Sequence, residues 1–140
     1  MNYTPPVFRV RASYVAAALA TIAVGLVVHT RGAALGPVAR DVLGDALWAS
    51  MVVWWAGALA PHARLATRSA AAYVICAGVE LSQLFHAPAL DAVRATRAGH
   101  LVLGSSFDPR DLAAYALGVV GAALFEGAVV ARCRRTRAAI

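Results

Sequence analysis

The chain has 140 residues, of which 61% are hydrophobic and only 14% are charged. Soluble domains carry about 25% charged residues, so the composition excludes an ordinary soluble protein and indicates an integral membrane protein. The formal net charge is +6, and the chain contains arginine but no lysine. The absence of lysine excludes Schiff-base chemistry. Because arginines that flank apolar spans set membrane topology, we expect no binding of nucleic acid.

Four apolar stretches are long enough to form helices across a membrane. The first, residues 12–30, is free of Asp, Glu, Lys and Arg and would rise about 28 Å as a helix. The other three are residues 46–63, 69–86 and 112–131. They predict an all-α, polytopic membrane protein, a four-transmembrane-helix bundle that forms one domain over residues 1–140.

Two of the predicted connections are long. Residues 31–45 contain Gly36, Pro37 and Gly44, which favour breaks in helices, so an irregular polar connection is expected there. Asp45 would then act as the N-cap of the second helix. The second long connection, residues 87–110, contains a short apolar run at residues 100–103. That run is too short to span and is expected to be a re-entrant or interfacial segment before the last helix.

The arginines predict an orientation in the membrane. With the N-terminus inside, eight arginines lie on the inner side and five on the outer side. Since inner loops carry the excess of basic residues, we expect both termini to face inward (N-in/C-in). The inner set is Arg9, Arg11, Arg64, Arg68, Arg132, Arg134, Arg135 and Arg137, and the outer set is Arg31, Arg40, Arg94, Arg97 and Arg110.

Glu80 and Gln83 are the conspicuous polar residues of the third span. They are three positions apart and therefore share one face of a helix. A carboxyl group within the membrane costs about 2.5–3.5 kcal/mol on insertion scales, so Glu80 should face the bundle interior. Two roles remain open for it. It handles a proton or a ligand, or it joins helices through a Glu–Gln or Glu–Arg pair.

Other polar residues are expected at the same depth as Glu80. All five aspartates fall on or near the outer face, and Arg94 would either neutralise Glu80 or hold an anionic group. Gly118 is expected to serve close helix packing, and Glu126 to pair with the arginines of the C-terminal tail. The candidate polar pocket consists of Asp45, Trp48, Glu80, Gln83, Arg94, Asp108, Asp111 and Tyr115. No spacing of residues predicts a metal site or a cofactor site.

The runs Glu80-Leu81-Ser82-Gln83-Leu84 and Asp111-Leu112-Ala113-Ala114-Tyr115, with Arg94 between them, resemble the core of VanZ-like membrane proteins. That family tends to have Asn where Tyr115 stands. The chain is more similar to a short bacterial family known only as a domain of unknown function, which the run Gly44-Asp45-Ala46-Leu47-Trp48 also matches. The resemblance implies a multi-pass protein of the bacterial cytoplasmic membrane and, through one member of the wider group, a link to glycopeptide resistance.

Three functions fit these patterns. The first is a non-catalytic protein whose outward-facing polar pocket holds a lipid headgroup, an anionic lipid or cell-envelope intermediate, or a partner helix. The second in order of preference is a structural subunit of a larger membrane complex, in which the polar residues serve only contacts between helices. The third is a membrane enzyme that uses Glu80 or Asp111 as a general acid or base on a lipid-linked substrate, for which no nucleophile motif is present.

Overall fold

A computed structural model describes residues 7–104 and 106–138 of the chain. All of its regular elements in these ranges are helices, as the sequence predicts. The α-helices are α1 (Val7–Arg31), α2 (Pro37–Leu59), α3 (Leu65–Ser82), α4 (Pro88–Arg94), α5 (Arg97–Leu103) and α6 (Pro109–Ala138). A turn of 3₁₀-helix, Gly32–Leu35, joins α1 to α2.

Three of the helical segments are long and apolar enough to cross a membrane: Val7–Leu35, Pro37–Leu59 and Pro109–Cys133. The third predicted span is different. Helix α3 has 18 residues, carries both Arg68 and Glu80, and is not one of the three. The structure therefore supports a helical membrane protein with three apolar spanning segments.

Helix α2 begins at Pro37, well before the predicted start at Ala46. The expected irregular connection is reduced to one 3₁₀ turn and Gly36, which has a φ of 78° and ends that turn. Pro37 then occupies the first helical position, where its fixed φ suits a helix and its missing N–H costs nothing. Asp45 is consequently inside the helix, and the prediction that it is an N-cap was wrong.

The other helix bounds also differ from the predicted ones. Helix α1 begins before residue 12, α3 ends before Phe85, and α6 runs past residue 131 into the basic tail. The apolar pattern indicates only the hydrophobic part of a helix. The backbone hydrogen bonds of α1 and α6 continue beyond that part, through the flanking arginines. The long connection of residues 87–110 contains two short helices, α4 and α5, and residues 100–103 are the end of α5.

Helix α2 is the centre of the bundle and packs against α1, α3 and α6. The core between these helices consists largely of small side chains. Small residues let helix backbones approach closely, which replaces the hydrophobic driving force that lipid surroundings remove. The buried core residues are Ala18, Ala49, Val53, Trp54, Ala72, Cys76, Tyr115, Val119 and Ala122.

Helices α2 and α6 approach each other closely at Gly118 of α6. A Cβ atom there would overlap the backbone of Ala46 on α2. The Ser50 hydroxyl reinforces the contact, because it donates hydrogen bonds to the carbonyl oxygens of Ala46 at 2.8 Å and Gly118 at 2.9 Å. The structure thus gives Gly118 the packing role that the sequence predicts, and it fixes the start of α6 beside α2.

Large apolar side chains cover the outside of the bundle. Leu59 is 78% exposed, Leu124 is 69% exposed and Val74 is 68% exposed, and similar residues follow every long helix. Soluble monomers rarely expose continuous apolar surface of this kind, whereas lipid-facing surfaces consist of it. The charged and polar residues buried in the described structure are concentrated instead near the two ends of the bundle.

Candidate functional site

A cavity of about 700 Å³ lies at the end of the bundle where α1 and α3 finish and α2 and α6 begin. One wall comes from α1 and α2, and the opposite wall from α3, α6 and the segment that joins α5 to α6. Seven of the eight residues of the predicted polar pocket line this cavity. They are Asp45, Trp48, Glu80, Gln83, Asp108, Asp111 and Tyr115.

Glu80 is the most deeply buried of these residues, with a side-chain exposure of 0%. Its carboxylate accepts hydrogen bonds from the backbone N–H of Asp108 at 2.7 Å, the Gln83 amide at 2.9 Å and the Tyr115 hydroxyl at 3.2 Å. These bonds tie α3 to α6 and to the segment before it. Three donors solvate the carboxylate in place of water and permit its burial.

No arginine or histidine of the described chain forms an ion pair with Glu80. The side chains around Glu80 in the cavity include other carboxyl groups, which carry negative charge when ionised. Asp45 of α2 and Asp111 of α6 are half-buried in the cavity wall, while Asp41 is exposed near its rim. The cavity is therefore acidic, and an arrangement of this kind attracts cations and hydrogen-bond donors rather than anions.

Gln83 lacks one hydrogen-bond partner for its side-chain amide among the described residues. Its side chain is 5% exposed, and its Nε2 donates to Glu80 Oε2. Its carbonyl oxygen, Oε1, is buried and has no donor among the described residues. Gly104 lies against the amide with a φ of 65°, in a backbone conformation that favours glycine. A buried acceptor without a donor is uncommon in folded proteins and indicates a missing partner.

Arg94 does not lie in this cavity, in contrast to the prediction. It is 6% exposed and points back to the end of α3, where it donates to the carbonyl oxygens of Ser82 at 2.7 Å and Phe85 at 2.9 Å. A third, longer contact joins it to Asp91 at 3.4 Å. The last carbonyls of a helix lack partners within the helix, so Arg94 stabilises the end of α3 rather than Glu80.

Basic groups are present only at the margin of the cavity among its described lining residues. Arg40 of α2 is half-buried there, with its Nε 3.8 Å from Asp41 Oδ1. His29 at the end of α1 and His100 of α5 are exposed at the same margin. The charge distribution is thus graded, with carboxyl groups in the interior and a guanidinium group toward the rim.

Besides the charged residues of α2 described above, α1 and α2 contribute mostly apolar side chains to the cavity. Ile22 and Leu26 of α1 face the cavity together with Leu47 and Met51 of α2. Trp48 belongs to the same wall and supplies an aromatic ring beside the acidic residues. The cavity is amphipathic, because carboxyl groups from α2, α3 and α6 lie opposite apolar side chains from α1 and α2.

Residues 35–119 match a family of proteins of unknown function, DUF2809. The chain belongs to the DUF2809 family. The matched range contains every acidic residue of the cavity, Gln83 and Arg40, whereas α1 with its part of the apolar wall precedes it. No solved structure matches the chain. The prediction of an unknown-function family is thus confirmed.

This DUF2809 chain has a second polar cluster at the opposite end of the bundle, which the sequence analysis missed. Glu126 of α6 accepts from Arg68 Nη2 of α3 at 2.7 Å and from the Tyr14 hydroxyl of α1 at 2.7 Å. The Arg68 guanidinium also stacks over the Tyr14 ring at 4.9 Å. Glu126 was expected to pair with the tail arginines, and Arg68 to be a connection residue that sets topology. Instead they pair with each other, and Arg68 is buried while Glu126 is partly buried.

The partners of this second cluster are far apart in the sequence, and no spacing rule relates them. The available signal is the position of Arg68 itself, three residues inside α3, where it must either be paired or face lipid. The cluster joins three helices, and Arg68 and Glu126 line a smaller cavity of about 380 Å³. We assign it to the assembly of the bundle.

Proposed function

We propose that the chain is a non-catalytic, membrane-embedded binding protein whose acidic cavity holds the polar headgroup of a membrane amphiphile. The observation that carries the proposal is the fully buried Glu80 carboxylate in the wall of a cavity of about 700 Å³. Cavities of roughly 300–1,000 Å³ are typical of small-molecule sites. The polar groups that surround Glu80 in the cavity wall could bind a polar headgroup, while the apolar residues of the cavity could contact a hydrocarbon chain.

The proposal includes an arrangement in the membrane. Helix α3 is the fourth span, both termini are inside, and the cavity opens toward the outer leaflet, with α4 and α5 at the interface. The length of α3 supports this, because 18 residues rise about 27 Å as a helix. Its two charged residues are both buried against other helices, so neither has to face lipid. The proposal also includes that the protein is related to VanZ-like proteins and that the membrane is the bacterial cytoplasmic membrane.

Substitution of the cavity carboxyls tests the proposal. The protein is purified in a mild detergent, and native mass spectrometry measures retention of phosphatidylethanolamine, phosphatidylglycerol and cardiolipin added as a mixture. Wild type should retain lipid, whereas Glu80→Gln and Asp111→Asn should retain several-fold less. Asp91→Asn is the matched control, since Asp91 is a carboxyl outside the cavity. Equal retention by all four folded proteins would refute the proposal.

One observation favours a second function, that of a structural subunit. The three hydrogen bonds of Glu80 join α3, α6 and the segment before α6, as a purely architectural group would. In that case Glu80→Gln and Asp111→Asn would lower the yield of folded protein or its assembly with a partner, with no change in lipid retention per folded molecule. Size-exclusion chromatography beside the mass spectra separates the two functions.

A further inference from the structure

The polar side chains that line the cavity interior are mainly hydrogen-bond acceptors. Asp45, Glu80, Asp108 and Asp111 contribute carboxyl groups, and Gln83 contributes an amide. The Tyr115 hydroxyl and the Gln83 N–H already donate to Glu80. The complement of such a surface is a group that donates several hydrogen bonds and carries positive charge.

Gln83 gives independent support for a donor. Its Oε1 is buried in the cavity wall without a partner in the part of the chain that the structure describes. Because Nε2 donates to Glu80 Oε2, the orientation of the amide is set and Oε1 is left as the acceptor. Because Oε1 and the Glu80 side chain are buried, a ligand N–H or O–H in the cavity would reach them with a small shift of the Gln83 amide, and one cationic group would then contact both.

A metal ion is less suited to this wall than an organic cation. Among the described residues, no three His, Cys, Asp or Glu side chains form a group that could hold a metal ion. Quaternary ammonium is also poorly suited, since it has no N–H to give to Gln83 or Glu80. A primary ammonium group has three N–H donors and a full positive charge, which matches both requirements.

The remainder of the cavity indicates what the ammonium group is attached to. Arg40 lies at the margin and is only weakly paired with Asp41, at 3.8 Å, so its guanidinium is available to an anionic group such as phosphate. The apolar wall contains Ile22, Leu26 and Met51, along which a hydrocarbon chain would fit. An aminophospholipid combines these three groups, with its ammonium in the interior, its phosphate at the rim and its acyl chain along α1.

We infer that the cavity binds a phospholipid with a primary ammonium headgroup, with the ammonium at Glu80 and Gln83 and the phosphate toward Arg40. This inference rests on the proposed function and narrows it to one lipid class. It departs from the expectation of an anionic ligand, because the predicted arginine, Arg94, lies outside the cavity and carboxyl groups surround the interior. A zwitterionic lipid presents both charges, so its ammonium can contact the carboxyl groups while its phosphate lies near Arg40.

The experiment compares lipids that differ only in the headgroup. Wild-type protein in detergent is titrated with phosphatidylethanolamine, phosphatidylcholine and phosphatidylglycerol of identical acyl chains, and occupancy is read by native mass spectrometry. Phosphatidylethanolamine should bind at least about tenfold more tightly than either of the others, as expected for a buried, hydrogen-bonded charge pair. Equal or tighter binding of phosphatidylcholine would overturn the inference, and this comparison requires no variant.

Variants then locate the headgroup. Glu80→Gln and Gln83→Leu should each abolish most of the preference for phosphatidylethanolamine over phosphatidylcholine, while the control Asp91→Asn retains it. A preference that survives both substitutions would overturn the assignment to this cavity. Soluble glycerophosphoethanolamine should not displace the lipid at equal concentration, and displacement by it would refute the contribution of the apolar wall.

The outcomes distinguish this inference from the proposed function. Binding of phosphatidylglycerol or phosphatidylcholine that is lost in Glu80→Gln would overturn the ammonium inference and leave the cavity as a lipid site. Lipid retention that is the same in wild type and in every cavity variant would refute both. Folding of each variant is checked by circular dichroism before the titration.

Discussion

The carboxylate of Glu80 on α3 accepts a hydrogen bond from the hydroxyl of Tyr115 on α6 at 3.2 Å, and both side chains are buried. This contact connects α3, which is not one of the three apolar spanning segments, to α6, which contains one. It also places the phenol in the wall of the acidic cavity. The pair therefore contributes both to the stability of the bundle and to the shape of the site.

Replacing Tyr115 with phenylalanine should lower the free energy of unfolding by about 1–2 kcal/mol. The substitution removes a donor from a buried carboxylate while it preserves the ring packing. Thermal unfolding in detergent, followed by circular dichroism, measures the change. Tyr73→Phe is the control, because Tyr73 is half-buried and its hydroxyl makes no hydrogen bond within the described chain. Equal effects of the two substitutions would show that the Tyr115–Glu80 bond contributes nothing.

Gly118→Ala should destabilise the bundle by about 1–3 kcal/mol, because overpacking forces helices apart. The added methyl group would meet the backbone of Ala46, which cannot move without α2. Gly121→Ala is a matched control on the same helix, since a Cβ atom there has no other atom within 4 Å. The melting temperature should fall for Gly118→Ala and stay unchanged or rise for Gly121→Ala. The opposite order would contradict the close approach of α2 and α6.

The sequence predicts the helical membrane class and the shared face of Glu80 and Gln83, because hydropathy and helical periodicity are local properties. It does not predict that α2 begins at Pro37. Gly44 favours a break in water, but a helix in an apolar environment keeps its hydrogen bonds through such a residue. Asp45 accordingly enters the cavity from a helical turn instead of a loop.

Two further errors have a tertiary origin. The direction of Arg94 depends on how α4 folds back to the end of α3, and Ser82, whose carbonyl Arg94 contacts, is only two positions from Glu80 in the sequence. The pair between Arg68 and Glu126 joins residues that are 58 positions apart. Local rules relate residues within one or two turns, so neither contact follows from spacing.

Glu126→Gln should destabilise the protein by about 3–5 kcal/mol, since it leaves the buried Arg68 charge without its partner, and Arg68→Gln should destabilise it less, because Glu126 is partly buried and keeps the Tyr14 hydrogen bond. Arg132→Gln is the control, because Arg132 is exposed on the tail of α6. The free energy of unfolding of the Arg132→Gln protein should equal that of wild type. If Glu126 instead paired with the tail, Arg132→Gln would be destabilising and Arg68→Gln would not. Chemical unfolding in mixed micelles measures all three variants.

Arg94→Gln should loosen the end of α3 without abolishing the fold. The substitution removes the charged donor from the carbonyls of Ser82 and Phe85, a loss of about 1–3 kcal/mol that is confined to this segment. Hydrogen exchange measured by mass spectrometry should increase over the peptides that contain the end of α3 and α4. Arg97→Gln, an exposed arginine of α5, should leave the exchange unchanged. An increase in both variants would contradict the capping role.

The orientation in the membrane yields a prediction for cysteine labelling of intact cells. In a Cys133→Ser background, a reporter cysteine replaces His62 between α2 and α3 or His86 between α3 and α4. Both histidines are exposed in the structure. If α3 is the fourth span and both termini are inside, a membrane-impermeant maleimide labels His86→Cys in intact cells and His62→Cys only after permeabilisation.

The two reporters separate the possible arrangements because only α3 lies between them. Should α3 remain on one side of the membrane, both cysteines will label under the same condition, and the four-helix arrangement is refuted. A reversed pattern, in which His62→Cys labels in intact cells, would keep four spans but invert the orientation that the arginines predict. Native Cys133, exposed on α6, reports on the C-terminal end in the wild-type chain and should label with His62→Cys, because α3 and α6 each cross the membrane once between them.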